Sequence, residues 1–224
     1  MRASIATMAA LIAILDSTAH AAAVKPSIAC YSGPKNGEAV HTGLLSVLGG
    51  SDNLLGLDKH KNVVALKYAS LAKNFTITFQ VCPDLGKINV QAPPGKNAYT
   101  DQHMGRIYVK KTNDIPAGSC LTVTNPQNAT TASKPNVYLK VDKCSSDTEP
   151  AADQIFSHGF VDNGDSDFLL WVGDKNTPCH NYGFGWKTTG SPDNNIVTNK
   201  PGRAQLECMK NPKAVALQYY SPNN

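Results

Sequence analysis

Apolar and polar positions alternate with a period of two in two well-defined stretches of the chain. Phe75, Ile77 and Phe79 alternate with Thr76, Thr78 and Gln80, and Val137, Leu139 and Val141 alternate with Tyr138, Lys140 and Asp142. Successive side chains of a strand point to opposite faces, so this period predicts two half-buried β-strands. Shorter apolar runs predict further strands at 62–68, 86–91, 106–110, 121–124, 167–172 and 215–220. Clusters of Pro, Gly, Asn, Asp and Ser at 34–37, 49–53, 93–95, 163–164 and 190–194 mark turns between them. Beyond the N-terminal stretch, few segments hold the i, i+3, i+4 spacing of an amphipathic helix. The pattern predicts an all-β fold of many short strands.

The cysteines add a longer period. Both alternating strands end at a cysteine, Cys82 and Cys144, with apolar residues three, five and seven positions before it. Before Cys208 the apolar residues Ala204 and Leu206 stand at four and two positions, a one-residue slip that reverses the face of a strand. These three cysteines lie 62 and 64 residues apart, which predicts three diverged copies of one unit, over 22–90, 91–156 and 157–224. Cys30, Cys120 and Cys179 each precede one of them. Six cysteines admit many connectivities. The simplest pairs each cysteine with its neighbour inside a unit, and each such loop closure contributes about 3–4 kcal/mol in the chain-entropy model.

Residues 1–21 carry the features of a cleaved secretory leader: Arg2, an apolar run over 8–15, and Ala19-His20-Ala21 before the expected mature start at Ala22. Asp16 ends the run well short of the roughly 20 apolar residues a membrane helix needs. The remainder, 22–224, is expected to be a single secreted β domain. Hydrophobic residues make up 41% of the chain and charged ones 17%, so it can bury a core and lacks the composition of a disordered chain. A net charge of +4 is too small and too scattered to argue for nucleic acid, and no later segment argues for a membrane. An even cysteine count suits the oxidising compartment that a leader implies. There Asn74-Phe-Thr76 and Asn128-Ala-Thr130 are glycosylation acceptors, and both are expected to face solvent.

Residues 105–156 carry a family-like signature: Gly105-Arg-Ile107, then Cys120-Leu-Thr-Val123, then Val137-Tyr-Leu139 running to Cys144, then Gln154-Ile-Phe156. This resembles one repeat of the ricin B-type lectins, with Phe156 where that family has Trp. The resemblance implies a β-trefoil-like closed barrel of three diverged units, here with insertions, since spacings of 62 and 64 residues exceed the family norm. The alternative on the same strands is a disulfide-stapled β-sandwich. Sugar-binding copies of the family use an Asp two residues after the first Cys, a ring just before the second, and an Asn beside the Gln. Here those places hold Thr122, Asp142 and Asp153, so the resemblance carries the scaffold and, of the site, Gln154 alone.

Sugar recognition needs a flat ring against the apolar face of a pyranose, with amides or carboxylates for the hydroxyls. Tyr182, Phe184 and Trp186, interleaved with glycines and near Asn163 and Asp165, are the candidate ligand residues beside Gln154. Phe168 and Trp171 read instead as core aromatics. No catalytic motif and no metal-ligand spacing is legible, and the 162–167 acidic run departs from the calcium-loop order. No cofactor is implied. These residues point to a secreted non-catalytic binding protein, lectin-like, whose partner is a glycan or an extracellular protein. The alternatives are a small secreted hydrolase using His158 or His180 with a nearby Asp, and a protein-interaction or inhibitor protein.

Overall fold

The computed structural model describes residues 30, 42–47, 54–82, 85, 102–126, 137–147, 149–159, 168–173, 179, 183–190 and 195–220. Over them run β1 (Thr42–Val47), β2 (Leu55–Leu57), β3 (Val63–Ala65), β4 (Thr76–Val81), β5 (Gln102–Val109), β6 (Ser119–Thr124) and β7 (Tyr138–Lys143). They are followed by β8 (Phe156–Gly159), β9 (Phe168–Trp171), β10 (Phe184–Lys187), β11 (Leu206–Cys208), β12 (Ala214–Val215) and β13 (Leu217–Tyr220). The fold is all-β, with short 3-10 turns as its helical content among these residues.

Six of the strands close on themselves. β1 pairs β4, β4 pairs β5, β5 pairs β8, β8 pairs β9, β9 pairs β13 and β13 returns to β1, every pair antiparallel. Closure leaves the ring no unpaired edge, and it replaces the alternative of two facing sheets. The period-2 residues of β4 and β5 meet in register, Ile77 opposite Val109 and Phe79 opposite Ile107, and all four are buried. Leu45, Phe156, Leu169, Trp171 and Leu217 join them in one hydrophobic cluster. Each side chain of this size contributes about 1.5–3 kcal/mol on full burial. Gly105 lets β5 pair on both sides, because a Cβ there would lie 2.1 Å from the Gln80 carbonyl oxygen.

In an antiparallel ring alternate strands share a direction, so β1, β5 and β9 all leave the barrel at the same end. Each is followed by a hairpin: β2–β3, β6–β7 and β10–β11. The hairpins bond to one another in a cycle. Val141 N donates to Lys61 O (2.8 Å), Leu206 N to Val137 O (2.9 Å) and Ala65 N to Gly202 O (3.2 Å). In each arm the acceptor lies four positions before the donor, at 61 and 65, 137 and 141, 202 and 206.

Three disulfides, Cys30–Cys82, Cys120–Cys144 and Cys179–Cys208, join each cysteine to its neighbour in sequence, the simplest of the arrangements the spacing allowed. The equal offsets before Cys82 and Cys144 nevertheless mark unlike elements. β4 belongs to the closed ring, whereas β7 belongs to a hairpin outside it. Alternation reports that one face of a strand is buried, not which neighbours bury it. The predicted strand at 62–68 stops at Ala65 and turns into a 3-10 turn over Leu66–Tyr68. β1, β2, β8 and β10 lie outside the predicted strands; β2, β8 and β10 are short and buried on both faces, which erases the alternation, and β1 carries Leu44 and Leu45 side by side, which hides it. The strand expected at 86–91 and the leader lie outside the described residues.

Candidate binding surface

Trp186, expected to meet a ligand, is 0% exposed, and its indole Nε1 donates to Ser46 O at 3.3 Å. Phe184 is buried beside Trp171, ring centroids 4.8 Å apart. Both rings are therefore shielded from any stacking partner in solution. Trp171 fills the core as expected, and its Nε1 donates to Ala152 O at 3.0 Å. Tyr182, Asn163, Asp165, His180 and Asn128 lie outside the described residues, while Asn74 is exposed. His158 is 1% exposed and its ring lies 5.1 Å from that of Phe79, so it sits inside the barrel, away from any substrate in solvent.

Gln154 is 4% exposed and acts as a brace. Its Nε2 donates to Thr122 Oγ1 and to Lys143 O, both at 2.9 Å, and its Oε1 accepts from Ser145 N at 2.7 Å. Arg106 continues the brace from the ring: Nε donates to Gln80 Oε1 at 2.8 Å, Nη1 to Ser145 O at 3.0 Å, and Nη2 pairs with Asp147. These buried groups satisfy one another, as groups removed from water must. They fix the base of the β6–β7 hairpin on the barrel.

Trp186, Phe184, Gln154 and His158 are thus internal, whereas on the hairpin cap two concavities flank β2–β3. The first is a groove of about 360 Å³, walled by Val47, Leu54, Leu55, Leu66 and Ile196 and edged by Lys67, Asn195 and Thr198. Leu66 (37% exposed) and Tyr68 (44%) are the large hydrophobic side chains that the described residues leave exposed. Tyr68 lies over Gly202, where a Cβ would come within 2.3 Å of its ring and where φ is +86°, so glycine is required there twice over. Lys67 Nζ lies 5.0 Å from the centroid of the same ring. Sequence reading missed this ring because no Gly or Pro interrupts Ala65-Leu-Lys-Tyr68, and the residue that seats it is remote in the chain.

The second concavity, a polar hollow of about 490 Å³, lies between the β2–β3 turn and the β6–β7 hairpin, with His60, Lys61, Gly118, Lys140, Asp142 and Lys143 among its lining residues. Asp58 holds the turn. Its Oδ1 accepts from His60 N (2.8 Å) and Asn62 N (2.9 Å), and Asn62 Nδ2 donates to both carboxylate oxygens. Burial pushes the Asp58 carboxyl up, but these donors and Arg203 outweigh it and hold it below its ordinary value. Across the hollow Lys140 Nζ pairs with Asp142 at 2.5 Å, and Lys143 N donates to Asp142 Oδ1 at 2.8 Å. The Lys140 hydrogen bond leads in holding the Asp142 carboxyl low, with the charge of Lys61 contributing.

No protein family, curated protein or solved structure matches the chain. Its chemistry is read from its own side chains. Among the described residues no group of three or more His, Cys, Asp or Glu is placed to hold a metal ion, and no helix is long and apolar enough to cross a membrane.

Asp153, beside Gln154, is the poorly solvated carboxylate of this region. Its Oδ1 is buried without a hydrogen-bond partner among the described residues. Burial pushes its carboxyl up and the charge of Asp142 adds to this, against its own backbone N–H and Lys140. A carboxyl raised in the folded state stabilises the protein below its unfolded value of 3.8, and that contribution is lost as pH rises through the folded value. Asp153→Asn is therefore expected to be more stable than the parent at neutral pH. The difference should shrink as pH falls and vanish below the ordinary carboxylate range. Melting temperatures across that pH series check it, and an equal difference at all pH values would refute the assignment.

Proposed function

We propose that the chain is a secreted, non-catalytic carbohydrate-binding protein on a β-trefoil scaffold of three diverged units. The scaffold reading is supported by a four-strand pattern in each unit, the first and last in the closed ring and the middle pair a hairpin, with β12 added on β10 in the third, and by the threefold cycle of hydrogen bonds among hairpins. On it the second unit ends after Gly159 rather than at 156, since β8 closes that unit. Secretion is supported by three intramolecular disulfides together with the leader-like residues 1–21, and the exposed Asn74 is then open to glycosylation.

The observation that carries the ligand class is the exposed, pre-seated ring of Tyr68, whose neighbour Lys67 both approaches the ring and edges a groove together with Asn195 and Thr198. A ring held against Gly202 loses little freedom when a pyranose stacks on it, and an ammonium, an amide and a hydroxyl stand at the groove for sugar hydroxyls. Aromatic stacking of about 0.5–1.5 kcal/mol makes Tyr68→Ala cost up to about tenfold in glycan affinity, with a modest fall in melting temperature because the ring also packs on Gly202. Glycan-array binding followed by calorimetric titration of the best ligand measures this. Unchanged affinity in Tyr68→Ala would remove the site. Leu66 and the groove's apolar wall favour a second reading, an extracellular protein partner, and a chain that binds no glycan but loses a protein partner on Leu66→Asp would establish it.

A further inference from the structure

We infer that the polar hollow between the β2–β3 turn and the β6–β7 hairpin is a separate anion site, taking a sulfate or phosphate ester carried by a saccharide. Lys61, Lys140, Lys143 and His60 line it, with Asp142 as the acidic residue among its described lining. That carboxylate pairs with Lys140 Nζ and accepts from the backbone N–H of Lys143, which leaves the ammonium groups of Lys61 and Lys143 as the excess positive charge among its described lining. Lys61 faces them from the other wall: its carbonyl accepts from Val141 N at 2.8 Å, and its charge acts on Asp142.

The hollow is held by backbone and turn bonds and so is formed before any ligand arrives. Asp58 ties His60 and Asn62 around Lys61, and the Cys120–Cys144 bridge with Cys144 N→Gly118 O (2.8 Å) ties the other rim. Among the described residues its apolar lining side chains are Pro116, Ala117 and Val141, with no aromatic ring among them. A tetrahedral oxyanion accepts from several ammonium donors at once, and such charge-assisted bonds are the strong ones. The volume of about 490 Å³ leaves room for the sugar that carries the ester.

Lys61 supplies a discriminating variant. Its φ is +61°, a left-handed conformation that glycine adopts freely and lysine does not. Lys61→Gly removes one of the three charges while easing the backbone, so the variant should melt no lower than the parent and a loss of binding cannot be a folding defect. The test is an amide chemical-shift titration of the full chain with glucose 6-sulfate, glucose 6-phosphate and glucose, each in parent, Lys61→Gly, Lys143→Ala and Tyr68→Ala. At least one ester is expected to shift the amides of Lys61, Gly118 and Lys140 to Lys143, with glucose leaving them in place. Affinity should fall several-fold in each lysine variant and stay unchanged in Tyr68→Ala, which keeps this site separate from the one under Proposed function. Raising ionic strength from about 0.01 M to about 0.15 M shortens the screening length from about 30 to about 8 Å and should weaken binding in the parent. A response to one ester alone identifies which oxyanion the site takes. Equal shifts with glucose, shifts confined to other residues, or undiminished affinity in Lys61→Gly would overturn the inference.

Discussion

Trp186→Ala is expected to destabilise the protein by about 3–5 kcal/mol, the range for removing a fully buried large aromatic. The side chain is 0% exposed and lies opposite Leu206 on β11 and Val215 on β12. Its Nε1 reaches Ser46 O of β1, a residue 140 positions away in sequence, so it ties the third hairpin to the barrel. Truncation leaves a cavity in a close-packed interior and removes the donor of a buried carbonyl, and both terms act in the same direction. Trp186→Phe should lose less, since it refills most of the volume and forfeits mainly the hydrogen bond, about 1 kcal/mol. Urea denaturation followed by far-ultraviolet circular dichroism gives both values. A Trp186→Ala protein of parental stability that had lost glycan binding would reverse the assignment and restore the ring to a ligand site.

Removing the Cys120–Cys144 bridge by the double change Cys120→Ser and Cys144→Ser should cost about 3–4 kcal/mol in the chain-entropy model for a loop of this length. The bridge spans 24 positions and closes the base of the β6–β7 hairpin, the same hairpin that Gln154 and Arg106 brace. Its loss frees one wall of the polar hollow, so binding of the sugar ester is expected to weaken along with stability, whereas the Tyr68 platform is built from other segments and should keep its affinity. Denaturant midpoints and the two titrations, run on the same preparation, separate the effects. Equal losses at both sites would mean that the hairpins unfold as one unit.

How much of this was legible beforehand differs element by element. Phe75 to Phe79 and Val137 to Val141 announced β4 and β7 because each strand has one buried and one wetter face. β8 and β10 gave no such signal, since all or nearly all their residues are buried. The disulfide pairing followed from order along the chain, because each bridge joins neighbours in sequence. Gln154 is expected from the sequence to meet a ligand, whereas its amide is occupied by Lys143, Ser145 and Thr122.

The aromatic residues show the limit most clearly. The interleaved glycines point to Trp186 as a ligand ring, yet that ring is enclosed, while Tyr68 in an ordinary apolar run is open to solvent. By itself the sequence determined what local periodicity encodes: an all-β chain, the half-buried strands, and the cysteine order that its disulfides follow. Tertiary structure alone decided which strands close the ring, which lysines share a hollow, and which rings remain exposed. Those outcomes depend on contacts such as Tyr68 on Gly202 and Trp186 on Ser46, between segments far apart in the chain, and no local pattern of polarity specifies them.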